Sequence, residues 1–345
     1  RFNYFASFPL FCSPVWRSLL DSIVREHSID LIVVRDLPMA IGAIWAGRRA
    51  GIPVILDMAE DYVSMIRDIW DARKFKGLNL IVRNPYLARV VENYTFRHID
   101  EVMVVVDEAI DVVRKGGGTD DRVTLVGNTP DLKSIESAVI SEADDAARTI
   151  QSHYSVIYTG GIQLGRGLQV VLEAMPELIN RIPDFRFVVA GDGYATRILR
   201  DMIQKKGLEK YVTWLGWVPH RELRKYISAC RMGIVPHYTS SHVDTTIPNK
   251  IFDYMACGLP VLTSDARPMK RIVEEAQCGK TFPSGSAAGL TEALLGMLGQ
   301  ESELGTNGRR AIVEKYNWET DKARLLRLIE RVGIERRATP VDGDV

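Results

Sequence analysis

The strongest constraint on this chain is a grammar that it uses twice: a short, continuously apolar strand, then a helical segment, then another such strand. In the second half the strands read VIYTG from Val156, FRFVVAG from Phe185, VTWLG from Val212, MGIVPH from Met232 and VLTS from Val261. The first half carries LIVV from Leu31, PVILDM from Pro53, EVMVVV from Glu101 and VTLVGN from Val123. Strands that are apolar throughout, rather than alternating, are buried on both faces, as in a parallel sheet covered by helices on either side. Right-handed crossovers then give two doubly wound α/β sheets, with ligands expected at the C-terminal strand ends. A length of 345 residues suits two cores of ordinary size. The expected division is a first domain at 1–140, a linker at 141–152 within the polar stretch Ser134 to Arg148, and a second domain at 153–315. A helix at 316–335 is expected to pack back on the first domain, ahead of a disordered tail at 336–345.

A doubly wound domain normally opens with a strand and a tight ligand-binding turn. This chain opens on FASFPLF and a helical pattern from Trp16 to about His27, so its N-terminal domain is expected to lack its first strands. The net charge is zero, which leaves no global field to draw the protein to nucleic acid. Cys12, Cys230, Cys257 and Cys278 lie far apart with no CxxC pair, a pattern of reduced core thiols in a cytoplasmic protein and not of a metal site. No apolar run approaches the length that spans a bilayer. Between Ser64 and about Arg97, however, Arg67, Arg73, Lys74, Lys76 and Arg83 mix with Trp70, Phe75, Leu78 and Leu80. That mixture suits peripheral contact with the inner face of the cell membrane through 64–90. It also suits a helix whose apolar side is core, the reading that Asp68 and Asp71 favour by diluting the charge.

Chemistry concentrates in the stretch DTTIPNKIFDYMACGLPVLTSD, Asp244 to Asp265. Pro248 suits a first helical turn, so a helix is expected from about Ile247, ending at Gly258 ahead of Pro260. A helix start carrying Asn249 and Lys250 offers N–H groups and a cation to an anion, with Asp253 one turn further on the same face. Phosphate beside a diol is the ligand shape this suggests; an ordinary Lys250–Asp253 surface pair explains it as well. In TGGIQLGRG, the glycines Gly160, Gly161, Gly165 and Gly167 surround one cation, Arg166, which could fork onto a phosphate. The turns at Gly191 to Gly193 and Gly216-Trp217-Val218 belong to the same edge, giving four turns that face one crevice. At the end of PVILDM, the carboxylates of Asp57, Glu60 and Asp61 outnumber what one helix cap needs, so a functional role stands beside simple capping.

The ordered set YTGG…RG, VVAGDG, WLGWVPHREL, GIVPH, IPNKIFDYMACGLPVLTSD and YNWE resembles the retaining glycosyltransferases of family four. The resemblance implies the GT-B arrangement of two facing Rossmann-like domains, the first on the acceptor side and the second binding a nucleotide diphosphate sugar. It places the donor diphosphate against Arg166 and the helix start near Asn249 and Lys250, with Thr245, Thr246, Ile247 and Pro248 as further donor-binding residues and Thr245 near the sugar. It puts the ribose on Asp253 and the base near Gly191, Gly193, Gly216, Trp217 and Val218, with Gly160 and Gly161 lining the turn. Arg166 and Lys250 would then be catalytic, with Asp57 and Glu60 as candidates on the acceptor side. The implied activity is sugar transfer with retention to a sugar or lipid-linked acceptor, in polysaccharide or glycolipid synthesis, with no cofactor and no required metal. Three departures stand out: Gly161 where the family has an Arg, Thr245 at the first position of its paired acids, and an aspartate in place of glutamate at 253. They leave open a non-catalytic nucleotide-sugar-binding protein, and a GT-B-type epimerase shares the same implied fold. His237 and His242 flank the loop before the helix and either touch the donor sugar or are exposed loop side chains.

Overall fold

A computed structural model describes residues 13–72, 77, 79–133 and 144–338. The FASFPLF opening, Arg73, Lys74, Phe75, Lys76, Leu78, residues 134–143 and the tail from 339 lie outside the described residues. Contacts divide the chain into two units. One is Arg1–Gly127 with Asp244–Thr246 and Asp321–Val345; the other is Asn128–Val243 with Ile247–Thr320.

The first unit holds four parallel strands in sequence order: β1 (Ile32–Arg35), β2 (Val54–Met58), β3 (Glu101–Val104) and β4 (Val123–Leu125). The apolar runs that named these strands are buried at Val54, Ile55 and Leu56 of β2 and along all of β3. Between β1 and β2 runs the helix Ala40–Ala50, which Gly51 ends at φ 69°, the left-handed cap that a residue without Cβ adopts freely. The helix Trp318–Ala338 sends Leu328 and Val332 into a cluster with Ile55 and Met103. Its Arg331 meets the carboxylate of Glu101 at 2.8 Å.

At the end of β2 the three carboxylates separate by role. Asp61 is buried and caps the next helix, accepting from the Ser64 N–H at 2.9 Å and the Ser64 hydroxyl at 2.6 Å. Asp57 pairs with Arg35 at 2.7 Å, and Glu60 is exposed. The helical segment expected from Ser64 to about Arg97, with breaks near Gly77 and Pro85, is three helices, Tyr62–Ala72, Asn79–Val82 and Pro85–His98. Its last part is not wholly core: Leu80, Ile81, Tyr86, Leu87 and Val90 are exposed. Arg83 and Arg97 are exposed as well, whereas Glu92, the acidic residue of 79–98, is buried against Arg89.

The second unit holds six parallel strands, one more than the five expected. They are β5 (Tyr154–Thr159), β6 (Phe185–Ala190), β7 (Val212–Gly216), β8 (Met232–Val235), β9 (Val261–Ser264) and β10 (Gly279–Phe282), and they lie in the order β10-β9-β8-β5-β6-β7. The additional strand, β10, reads GKTF and sits at the sheet edge, where only Phe282 is buried. An edge strand with one buried side chain lacks the continuous apolar signature by which its neighbours are legible. With β8, β9 and β10 on one side of β5 and β6 and β7 on the other, the order reverses direction at β5, so the loops after β5 and β8 open at a topological switch point.

Candidate functional site

The three glycine turns after β5, β6 and β7 are stitched into one edge of the second unit. Gly160 donates its N–H to the Ala190 carbonyl at 2.9 Å, and Gly191 donates to the Gly216 carbonyl at 2.7 Å. Gly191 sits at φ 156°, and a Cβ there would fall 1.9 Å from the Gly160 oxygen, so the first two turns touch through bare backbone. Gly193 is equally confined, with Ile162 backbone atoms where its Cβ would be. Trp217 beside them is 74 % exposed.

Arg166 ends a one-turn 3-10 helix, Leu164–Arg166, which Gly167 closes at φ 71°. The Gly167 Cα packs against the Pro236 carbonyl so tightly that a Cβ would lie 1.7 Å from its oxygen. Two residues of loop after β8 are thereby held beside Arg166. The Arg166 Nη1 reaches the Nδ1 of His237 at 3.2 Å. His237 is therefore no exposed loop side chain: it is 1 % exposed.

The helix expected from Ile247 begins later and spans Lys250–Ala256. Before it, Ile251 donates to Pro248 at 3.1 Å in an i+3 turn, and the first i+4 bond runs from Asp253 to Asn249 at 3.2 Å, so Asn249 is the N-cap, already at right-handed helical angles, and Ile247 and Pro248 lie ahead of the helix. A helix of two turns has little dipole to offer an anion, and its side chains carry the charge instead. Gly258 ends it at φ 73°, as the glycine signal implies. Tyr254 fixes this helix to the sheet, its hydroxyl accepting the Thr159 N–H at 2.9 Å and lying 3.1 Å from the Thr159 Oγ1. Gly233 makes room, since a Cβ there would enter the Tyr254 ring.

That attachment sets Lys250 beside Gly160, with its ammonium 5.1 Å from the centroid of the Tyr158 ring. Tyr158 is itself locked by donating its hydroxyl to the Gly161 carbonyl at 2.9 Å. The Lys250 side chain is half-buried. Burial, then the charge of Arg166, lowers its pKa to about 7, against a raising effect of Asp253. No ion pair joins Lys250 to Asp253, and among the described residues neither Lys250 nor Arg166 has a carboxylate within ion-pair distance. The ordinary surface pair is thus replaced by two cations held near each other with no protein anion between them.

Asp253, one turn along, lines a cavity of about 630 Å³ within the second unit, together with Asn249, His220, Arg224, Leu223 and Pro130. Burial holds its carboxyl above the usual range, opposed by His220, Lys250 and Arg224. His220, Arg224 and the turn Asn128 to Asp131 are not among the candidate residues; the sequence signals there are the turn tetrad NTPD and the motif WLGWVPHREL, which contains His220 and ends just before Arg224. Thr245 and Thr246 fall in the first unit by their contacts, where Thr245 is buried and the Thr246 hydroxyl is 3.4 Å from the Ala59 carbonyl. Asp57 and Glu60 also belong to the first unit, and the cation cluster is built without them. Among the described residues no three His, Cys, Asp or Glu side chains gather in a metal-ligating group.

Residues 153–300 match the family described as Glycosyl transferases group 1, and residues 5–129 match the Glycosyl transferase 4-like domain. The α-D-kanosaminyltransferase of Streptomyces kanamyceticus is 27 % identical over 206 residues, 57 % of this chain and 50 % of that protein. The phosphatidyl-myo-inositol mannosyltransferase of Mycolicibacterium smegmatis is 26 % identical over 169 residues, 48 % of this chain and 42 % of that protein. The matched stretch thus spans half or less of the length of these curated relatives. Among solved structures, Anabaena HepE in complex with UDP-glucose is similar at a TM-score of 0.71 and 17 % identity, covering 92 % of this chain and 82 % of that one. At that identity the likeness is one of fold. With a glycosyltransferase model matched on each unit, the chain belongs to the glycosyltransferases that carry a group 1 domain and a 4-like domain, and it has the GT-B class of fold.

Proposed function

We propose that this protein moves a sugar, with retention of configuration, from a nucleotide diphosphate sugar to a sugar or lipid-linked acceptor. The observation that carries the reading is the pair Arg166 and Lys250, two cations on one ligand edge with no carboxylate of their own among the described residues. A diphosphate supplies the missing negative charge. The adjoining cavity is large enough for a nucleoside, and Asp253 stands in it to accept from ribose hydroxyls. HepE, of like fold, holds UDP-glucose. In the proposed step the acceptor oxygen attacks the anomeric carbon on the face from which the diphosphate departs. The departing phosphate oxygen takes the acceptor's proton, and Arg166 and Lys250 stabilise the charge that builds on it. A second reading, donor binding without transfer, is favoured by Thr245, a buried hydroxyl at the position where the resemblance implies a carboxylate.

The exposed apolar residues of 79–98, with Arg83 and Arg97 exposed as well and no exposed acid, also support peripheral contact with an anionic membrane surface, which suits a lipid-linked acceptor. Among the described residues no helix is long and apolar enough to cross a membrane. Flotation with phosphatidylglycerol vesicles is expected to carry the wild type and to lose Leu87→Asp/Val90→Asp; equal flotation of both rules this surface out.

For catalysis, Arg166→Ala and Lys250→Ala are each expected to lower turnover at saturating donor on the order of a hundredfold or more, with melting temperature nearly unchanged. Near-normal turnover in both removes the assignment, and donor-dependent stabilisation of a wild type that neither transfers nor hydrolyses favours the binding protein. The pH dependence has a definite sign. The free Lys250 is neutral above about pH 7, whereas a bound diphosphate holds it charged, so the complex carries more protons than the free protein. Affinity must therefore fall as pH rises above about 7, by up to about tenfold per unit. Calorimetry with the best stabiliser among UDP, GDP and ADP is expected to show that fall in the wild type and a flatter profile in Lys250→Met.

A further inference from the structure

His237 is a buried group on the same edge that the proposed chemistry has not used. It lies two residues beyond β8, in a loop clamped to the Arg166 turn on either side. Ahead of His237, the Pro236 carbonyl presses on Gly167; behind it, Tyr238 donates its N–H to the Gly165 carbonyl at 3.1 Å. Arg166 and His237 are thus held face to face by their own neighbours in sequence. Of the two ring nitrogens, Nδ1 is the one that Arg166 meets, at 3.2 Å. A guanidinium can only donate, so Nδ1 accepts and the ring proton sits on Nε2. Burial, then Lys250 and Arg166, push the ring's pKa well below its usual value, so it stays neutral. The Nε2–H is therefore a buried donor, and among the described residues it has no hydrogen-bond partner. Buried donors are rarely left unmet unless something outside the protein meets them.

We propose that His237 is a third anchor for the diphosphate, fixing Arg166 through Nδ1 and donating its Nε2–H to an anionic oxygen held between Arg166 and Lys250. The proposal rests on the diphosphate reading and adds a neutral donor to it. A third cation in this position would repel the two already there; a neutral imidazole gives a hydrogen bond to the anion without that repulsion. The ring is buried where a hydrogen bond to charge is strong, so its loss is expected to be visible in affinity.

The test uses the full chain and inorganic pyrophosphate, which carries the shared chemistry whatever the base and sugar prove to be. His237→Gln offers an amide N–H near the Nε2 position, His237→Asn offers an acceptor near Nδ1 and nothing at Nε2, and His237→Phe offers neither. Pyrophosphate affinity by calorimetry is expected to weaken about tenfold or more in the Asn and Phe variants and by less in the Gln variant. In the wild type labelled with ¹⁵N-histidine, the Nε2–H resonance of His237 is expected to move downfield as pyrophosphate saturates. That spectrum needs no variant to fold. Wild-type affinity in the Asn and Phe variants alongside lost binding in Lys250→Met overturns the role of His237 and leaves the diphosphate seat standing. An Nε2–H resonance unmoved at saturation overturns it equally. If the wild type binds neither pyrophosphate nor any nucleoside diphosphate, the diphosphate reading fails and the anchor fails with it.

Discussion

The hydrogen bond between Tyr254 and Thr159 is the contact on which the proposed site depends. It joins residues 95 apart in sequence, one in the helix Lys250–Ala256 and the other at the last position of β5. Both are buried, so the phenol has no water to fall back on, and its exchange of partners would leave a backbone N–H unmet. The bond is possible because Gly233, on the neighbouring strand, leaves space for the ring. Its consequence is positional. With Tyr254 fixed, Lys250 four residues earlier projects one turn away on the same side, over Tyr158 and against Gly160.

That position has an electrostatic cost. Two cations gathered in a partly enclosed place repel each other, and burial, then that repulsion, lowers the pKa of Lys250. A protein that needed only stability would set a carboxylate between them. This one keeps its nearest acid, Asp253, in the adjoining cavity, where burial holds that carboxyl above its ordinary range. In the proposed reading that unfavourable charge is relieved by a polyanion and not by the chain itself, which is the physical content of proposing a leaving-group seat there. A seat arranged in advance does not have to reorganise as charge moves onto the departing oxygen. The departures from the family pattern fit the same picture. Gly161 brings no cation after β5, and the Lys250 ammonium stands beside the preceding Gly160.

Most of the frame is legible in the sequence because its signals are local. Continuous apolar runs mark nine of the ten strands among the described residues, and Gly51 and Gly258 take the left-handed conformations that their places after helices imply. β10 escapes because GKTF buries one side chain at an edge. The start of the key helix is not legible to the residue because Pro248 marks where a helix can begin, not where the i+4 bonds do begin. The state of the site is less legible. The spacing of Lys250 and Asp253 reads as a surface pair, and only tertiary burial separates the two side chains. The Arg166–His237 contact spans 71 residues and the Tyr254–Thr159 contact 95, distances at which no periodicity speaks. Asp61 is the reverse case, a carboxylate in a suggestive cluster that proves to be an ordinary helix cap.

In the proposed reading Arg166 and Lys250 together seat the donor diphosphate. A crystal structure of the protein with a bound nucleoside diphosphate tests it most directly. Phosphate oxygens are expected within hydrogen-bonding distance of both the Arg166 guanidinium and the Lys250 ammonium, with the ribose at Asp253. A diphosphate bound elsewhere, or one that leaves Lys250 on the Tyr158 ring without contact, contradicts it.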